Sequence, residues 1–211
     1  MSRRGFIGVI LAGILAFTGF VAVPDAPAAE EDAGAFIMRM ADKALGALSN
    51  PDLSNYDRAE RFRSLLREGM DISDVARKAL GPYVRRATDE ELNEFESLLE
   101  ENIVRKYAIL FKDYAGQRIE LVGTKEGRRG TQNVTVLIHP LDNAPPINVR
   151  WVVHDVDGMM KVIDIIIERV SMVTTQKEEF VSVIRRNGGQ IDALLQELRE
   201  RNAEMAENVK G

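Results

Sequence analysis

Residues 134–167 read VTVLIHPLDNAPPINVRWVVHDVDGMMKVIDIII, and this stretch decides the fold of the chain. Apolar residues alternate with other residues in three runs, which is the period-two pattern of half-buried β-strands. A proline-containing loop separates the first two runs, and Asp157-Gly158 between the last two is a strong signal for a tight hairpin turn. A shorter run at Ile119 and Leu121 precedes them. We therefore expect a four-stranded antiparallel meander.

The sequence before the meander has helical periodicity instead. Apolar residues recur at intervals of three and four over residues 36–48 and along the segments that follow. Thr88-Asp89-Glu90-Glu91 is a capping box, from which the longest helix is expected to start. Two further helices are expected after the meander, the first starting at a second capping box at residues 175–178, and Ser171 is expected to cap the helix that follows it. A helical N-terminal half and a later antiparallel sheet make an α+β fold, with the helices covering the apolar face of the sheet.

The first 28 residues have the organisation of an export signal. Arg3 and Arg4 precede an apolar run over residues 6–23, and Ala26-Pro27-Ala28 matches a signal-peptide cleavage site. The paired arginines resemble a twin-arginine signal, whereas the strongly apolar run is typical of the general secretory route. An uncleaved anchor is the alternative, because a run of this length could just span a bilayer. We expect residues 1–28 to be removed on export to the periplasm, and residues 29–211 to form one domain whose tail frays from about residue 203.

Composition excludes several functional classes. The chain has no cysteine, which rules out disulfides, thiolate metal sites and cysteine nucleophiles. Its 33 acidic and 28 basic residues give a net charge of −5, which argues against nucleic acid as a partner. No nucleophile elbow, phosphate loop or dinucleotide fingerprint occurs, and the two histidines, His139 and His154, fall on the strand face opposite the expected apolar face. We therefore expect no catalytic residue, no metal and no enzyme activity.

The apolar stripes have two interpretations. Helices and sheet can interlock into a dry, packed core, and periodicity by itself favours this interpretation because apolar stripes are usually core. Alternatively, they can curve into a cone-shaped cup (nuclear transport factor-like) with an apolar cavity inside.

Three segments support a resemblance that favours the cup. They are Ala79-Leu80-Gly81-Pro82-Tyr83-Val84-Arg85-Arg86-Ala87-Thr88, residues 107–116 ending in Tyr114-Ala115-Gly116, and Lys161-Val162-Ile163-Asp164-Ile165 followed by Glu168-Arg169-Val170-Ser171-Met172. In these segments the chain resembles the toluene-tolerance (MlaC) family of periplasmic phospholipid-binding proteins, which are auxiliary components of ABC transporters. The order of helices, meander and C-terminal helices also agrees over about residues 33–202.

The resemblance implies a function. It implies a carrier that binds the acyl chains of a glycerophospholipid as cargo, without any other cofactor. The carrier would move lipid between an outer-membrane lipoprotein complex and an inner-membrane ABC transporter with an MCE-domain subunit, and so maintain outer-membrane lipid asymmetry. The chain departs from the family pattern at Met160, Val84, Arg169 and Gln176-Lys177. These departures leave the ligand and partner open, and a hopanoid-associated variant is an alternative.

The resemblance also makes the apolar residues candidates for the walls of a lipid cavity. Arg85 and Arg86 are candidate contacts of the phosphate head group, since guanidinium groups match phosphate oxygens. The candidates on the meander are Val134, Val136, Ile138, Val149, Trp151, Val153, Ile163, Ile165 and Ile167. The candidates on the helices are Phe62, Leu66, Val75, Leu80, Tyr83, Phe95, Leu99, Ile103 and Tyr107.

Two other functions stay open at this point. An exported isomerase or dehydratase on the same kind of cup would need an acid or base projecting inward, flanked by a second titratable group. A structural or adaptor protein would have a solid core and no cargo.

Overall fold

The sheet agrees with the pattern read from residues 134–167 and gains one short strand. The computed structural model describes residues 32–113, 116–142 and 144–209. Five antiparallel strands follow one another in chain order across a single sheet. They are β1 Arg118–Glu126, β2 Gln132–His139, β3 Ile147–Val156, β4 Met159–Ile167 and β5 Val170–Ser171. The predicted four-stranded meander is confirmed, and β5 adds a two-residue strand to the edge of β4.

Turn chemistry determines how β3 and β4 pair. Asp157 and Gly158 connect the two strands and have φ angles of 53° and 80°. Positive φ at both central residues is the requirement of the type I′ turn, whose twist matches that of the strands it joins. The hairpin predicted from Asp157-Gly158 is therefore confirmed.

The described ranges contain six α-helices, in the order expected from the sequence. They are α1 Ala33–Leu48, α2 Asn55–Gly69, α3 Ile72–Leu80, α4 Asp89–Tyr107, α5 Met172–Arg186 and α6 Ile191–Val209. Short 3-10 helices follow α3 at Gly81–Arg85 and α4 at Ala108–Asp113. Helix α6 continues to Val209, and Asn202 forms hydrogen bonds with Leu98 O and with Asn102. None of the helices in the described ranges is both long and apolar enough to span a bilayer.

The capping residues explain where two of the helices begin. At α4 the capping box is confirmed: Glu91 N donates to Thr88 Oγ1 at 3.1 Å, and Thr88 N donates to Glu91 Oε2 at 2.8 Å. The start of α5 at residues 175–178 was wrong by one turn. Ser171 caps this helix by accepting from Thr174 N, and its hydroxyl donates to Asp164 Oδ2 at 2.6 Å. The acceptor on β4 therefore makes Ser171 the better cap.

The core is divided into three apolar clusters. One cluster joins α1 to the sheet, the second joins α3, α4, α5 and α6, and the third joins α2 to α4 and to Ala108. Met70, between α2 and α3, packs against all three clusters. Met70 therefore connects the three clusters.

Polar contacts attach the same junction to the edge of β4. Asp71 N donates to Val162 O at 3.0 Å, and Met70 forms an isolated parallel bridge with Val162. Lys161 Nζ donates to the carbonyl oxygens of Arg67 and Glu68, at the end of α2, where a cation is favoured by the helix dipole. These contacts keep the helical layer in register with the sheet.

Candidate functional site

One face of the sheet is lined by aliphatic side chains from neighbouring strands. The register brings Val134 beside Trp151, and Trp151 beside Ile165. The next row along the strands consists of Val136, Val149 and Ile167. Side chains alternate between faces along a strand, so these rows share one face, which we call the apolar face. This is the face that the sequence assigned to the meander candidates.

The register departs from simple alternation at one point on β4. A bulge near Val152 and Val153 places Val162, instead of Ile163, opposite Val153. Val162 joins the cluster that contains Val153, and it is 4% exposed. Ile163 is also buried, and it is the extra residue of the bulge, without a directly opposite partner on β3.

Helix α1 covers only part of the apolar face. Phe36 and Ile37 pack over Val134, Val153 and Val162, which are all buried. At the other end of these strands the side chains are less covered: Ile147 is 40% exposed, Ile167 is 37% exposed, and Ile138 is half-buried. We call Ile138, Ile147 and Ile167 the open end of the apolar face.

Several connections converge near the open end. Strand β1 starts here, since Ile119 pairs with Ile138, and the 3-10 helix Ala108–Asp113 precedes β1 in the chain. The β2–β3 loop and the turn between β4 and β5 lie at the same end of the sheet. In that 3-10 helix, Leu110 is 61% exposed. Apolar surface is therefore available on the sheet and on the segment that leads into it.

The helical candidates do not form one group. Val75, Leu80, Phe95 and Leu99 are buried in the cluster of α3, α4, α5 and α6, where Phe95 meets Phe180 edge-on with ring centroids 5.5 Å apart. These four residues therefore belong to the packed helical core and do not lie on the apolar face.

The candidates on α2 and at the end of α4 have a different position. Leu66 is a buried member of the α2–α4 cluster, and Phe62 and Ile103 pack against it. Phe62 also contacts Phe111, with ring centroids 5.7 Å apart. Tyr107 is half-buried at the end of α4. This group borders the 3-10 helix that leads to the open end.

The candidate head-group arginines lie elsewhere. Arg85 and Arg86 are exposed at the end of the 3-10 helix Gly81–Arg85, and the guanidinium of Arg86 stacks over Tyr83 at 5.7 Å. Tyr83 packs against the helical cluster, and Arg86 also approaches Gly189 in the α5–α6 turn. The structure thus groups these arginines with α5 and α6.

Sequence reasoning missed several residues of this region. Ile147 was not singled out, although it is the first residue of β3 and continues the alternation of Val149 and Trp151. Met70 and Val162 gave no distinguishing signal, because their roles depend on long-range packing and on the bulge. Arg58 was also missed: it is fully buried, and its Nη2 donates to Asn50 O and Leu53 O at the α1–α2 connection.

Three titratable groups on the sheet, Glu120, His139 and His154, lie on the face opposite the apolar face. His139 Nε2 lies 2.9 Å from Glu120 Oε2, and the hydrogen bond from Arg118, followed by the one with His139, keeps the pKa of Glu120 below its ordinary value. His154 pairs with Asp71 at 3.2 Å. By register, both histidines and Glu120 belong to the opposite face. Within the described ranges, no group of His, Asp and Glu side chains is arranged to hold a metal ion.

Two grooves on the described surface are lined mainly by polar residues. One, of about 350 Å³, lies on the opposite face of the sheet and is lined by Thr135, Asn148, Arg150, Ile166, Glu168 and Arg169. The other, of about 260 Å³, is lined by α5 residues that include Lys177 and Arg185. None of the candidate residues from the sequence lines either groove.

Comparisons with known proteins agree with the fold and with the resemblance. The family model described as MlaC protein matches residues 38–200. The Haemophilus influenzae intermembrane phospholipid transport system binding protein MlaC is 26% identical over 134 residues, which is 62% of this chain and 62% of that protein. A solved structure of a phospholipid-binding protein from Ralstonia solanacearum, in complex with a phospholipid, superposes with a TM-score of 0.72 at 24% identity, over 83% of this chain and 99% of the other. Because the family model matches well over half of its residues, this chain belongs to the MlaC family.

Proposed function

We propose that this chain is a periplasmic lipid carrier that binds the acyl chains of a glycerophospholipid on the apolar face of its sheet. It moves lipid between an outer-membrane lipoprotein complex and an inner-membrane ABC transporter with an MCE-domain subunit, and so maintains outer-membrane lipid asymmetry. In this proposal residues 1–28, which lie outside the described residues, are the cleaved export signal. No catalytic step is involved, and the phospholipid is cargo.

The observation that carries the proposal is the open end of the apolar face. Ile138, Ile147 and Ile167 present aliphatic surface to solvent at the end of the apolar face that α1 does not cover. Exposed apolar surface that continues into a core is typical of binding sites for apolar ligands. The family relationship, and the phospholipid bound by the Ralstonia protein, favour lipid over other apolar ligands.

The energetics of lipid transfer explain why such a face is useful. A two-chain lipid has about 30 methylenes, each worth roughly 0.8 kcal/mol, so its bare transfer through water costs on the order of 25 kcal/mol. Contact with an aliphatic protein surface removes much of that barrier. The acyl chains would enter at the open end and extend beneath the α2–α4 group, lined by Phe62, Leu66, Ile103 and Tyr107, with Trp151 and Ile165 on the sheet side. Val75, Leu80, Phe95 and Leu99 would support this wall from behind.

An enzyme on the same fold is the second candidate, and the open end argues against it. An isomerase or dehydratase needs an acid or base that projects into the site. The three residues of the open end and their cross-strand neighbours Ile119 and Val149 are all aliphatic.

Lipid analysis of the purified protein tests the proposal. We expect organic extraction of the mature protein, followed by mass spectrometry, to yield about one phospholipid per chain, and the stripped protein to take up labelled phospholipid from vesicles. A folded protein that yields no lipid and takes up none would refute the carrier function and favour a solid-core adaptor. Recovery of a hopanoid in place of phospholipid would refute the phospholipid assignment only.

A further inference from the structure

The polar groove on the opposite face of the sheet has the composition of an anion site. We call it the arginine groove; its lining residues are Thr135, Asn148, Arg150, Ile166, Glu168 and Arg169. Thr135 and Ile166 flank Arg150 on the neighbouring strands, so three strands form its floor. The turn between β4 and β5 supplies Glu168 and Arg169. None of these residues belongs to the three core clusters or to the apolar face.

The turn holds Arg169 in an unfavourable backbone conformation. Glu168 and Arg169 have φ angles of 46° and 76°, in the left-handed region that residues other than glycine rarely adopt. Two hydrogen bonds attach the turn to β3: Asn148 N donates to Glu168 Oε1 at 2.6 Å, and Glu168 N donates to Asn148 O at 3.0 Å. They fix the position of Arg169 beside Arg150, on the wall of the arginine groove.

The two arginines are available for a ligand. Neither the Arg150 side chain nor the Arg169 side chain makes a hydrogen bond or an ion pair within the part of the chain that the structure describes, and both residues are exposed. Glu168 is the only acid in the lining, and one of its carboxylate oxygens already accepts from Asn148 N. Two guanidinium groups with the Thr135 hydroxyl and the Asn148 amide supply several donors, which is the chemistry that binds phosphoryl oxygens.

The arginine groove and the open end use the same strand ends. On β3, Asn148 and Arg150 alternate with Ile147 and Val149, and on β4, Ile166 precedes Ile167 directly. Adjacent residues point to opposite faces, so the polar and apolar surfaces meet at the rim of the sheet. A molecule that crosses this rim can contact aliphatic side chains at one of its ends and guanidinium groups at the other.

We propose that Arg150 and Arg169 bind the phosphoryl group of the cargo lipid while its acyl chains lie on the apolar face. The inference rests on the proposed function, and it moves the phosphate contact from Arg85 and Arg86 to the rim of the sheet. Arg85 and Arg86 lie against Tyr83 and the α5–α6 turn, in the cluster that does not include the sheet. Free phosphate has the same chemistry as a lipid phosphate, and the experiment separates the two.

The test compares two lipids with identical acyl chains, phosphatidylglycerol and diacylglycerol, which differ in the phosphoryl head group. Binding to lipid-stripped protein is measured for the wild type, for the double variant Arg150→Gln, Arg169→Gln, and for the control Arg85→Gln, Arg86→Gln, which removes the same charge. We expect the first variant to lose about tenfold in affinity for phosphatidylglycerol and to keep its affinity for diacylglycerol. The control variant is expected to match the wild type with both lipids.

Three results would overturn the inference. The first is an unchanged preference for phosphatidylglycerol in the Arg150, Arg169 variant, and the second is a loss of that preference in the control variant. The third is calorimetric binding of inorganic phosphate that requires Arg150 and Arg169, combined with unchanged lipid preference, which would make the groove a site for free phosphate. If the wild type binds neither lipid, the proposed function fails, and this outcome differs from all three.

Discussion

Replacing Ile147 by glutamate tests whether acyl chains occupy the open end. Ile147 is 40% exposed, so the folded protein can keep the new carboxylate in water. Full burial of an isoleucine is worth about 1.5–3 kcal/mol, and only part of this is lost, so we expect the free energy of unfolding to fall by about 1–2 kcal/mol. Bound lipid would cover the same position, and burying an unpaired carboxylate costs several kcal/mol. At 1.4 kcal/mol per tenfold, we expect lipid affinity to fall by about 100-fold.

The assay is uptake of fluorescent phospholipid from vesicles, with urea unfolding measured on the same samples. Burial raises the pKa of a carboxyl group, because it disfavours the charged form. Lipid binding by the Ile147→Glu protein should therefore recover as the pH is lowered from 7 towards about 4, where the neutral form predominates. The wild type has no such group at the open end and should show no comparable recovery.

Met159→Glu is the matched control, because Met159 is also apolar and 58% exposed but lies at the opposite end of β4, beside the Asp157–Gly158 turn. This variant should take up lipid like the wild type. Normal uptake by folded Ile147→Glu, or an equal loss in both variants, would show that the open end does not contact the lipid.

Three further predictions follow from other parts of the structure. Asp164→Ala removes the acceptor of Ser171 Oγ and Val173 N at the start of α5, and should lower the free energy of unfolding by about 2–3 kcal/mol in urea titrations; an unchanged midpoint would contradict this role. Burial alone would raise the pKa of Glu100, but hydrogen bonds from Arg67 and Arg63 outweigh it and keep the pKa below its ordinary value. This carboxylate therefore adds stability above its unfolded-state pKa, and that stability is lost as the pH falls through its folded-state pKa. Glu100→Gln should flatten the decline of the free energy of unfolding below about pH 5. A plot of this free energy against pH that runs parallel to the wild type would refute the pairing. Trp151, the single tryptophan, lies on the apolar face, so phospholipid with brominated acyl chains should quench its fluorescence, and lipid uptake without quenching would place the chains elsewhere.

Local features were predictable because neighbouring residues encode them. The alternation over residues 134–167 implied the strands, Asp157-Gly158 implied their turn, and the capping box at Thr88 implied the start of α4, and all three are confirmed. The capping box at residues 175–178 predicted the wrong start for α5, because the cap depends on a residue outside that segment. Ser171 Oγ donates to Asp164, which belongs to strand β4.

The division of the apolar residues was not predictable in this way. The sequence indicated that Phe95 and Phe62 both lie on buried helix faces, but not that Phe95 would meet Phe180 whereas Phe62 would meet Phe111. Helix periodicity determines which side of a helix is apolar, whereas the angle and position at which helices dock determine which cluster that side enters.

The sequence by itself determined the α+β class, the strand order and one aliphatic face, since these depend on contacts between residues close in the chain. Only the tertiary structure decided that α1 leaves Ile138, Ile147 and Ile167 partly uncovered, that a bulge brings Val162 onto the face, and that Arg150 and Arg169 line one groove. The physical reason is that coverage, register and grooves arise from the relative placement of segments far apart in sequence, and no short-range pattern encodes that placement.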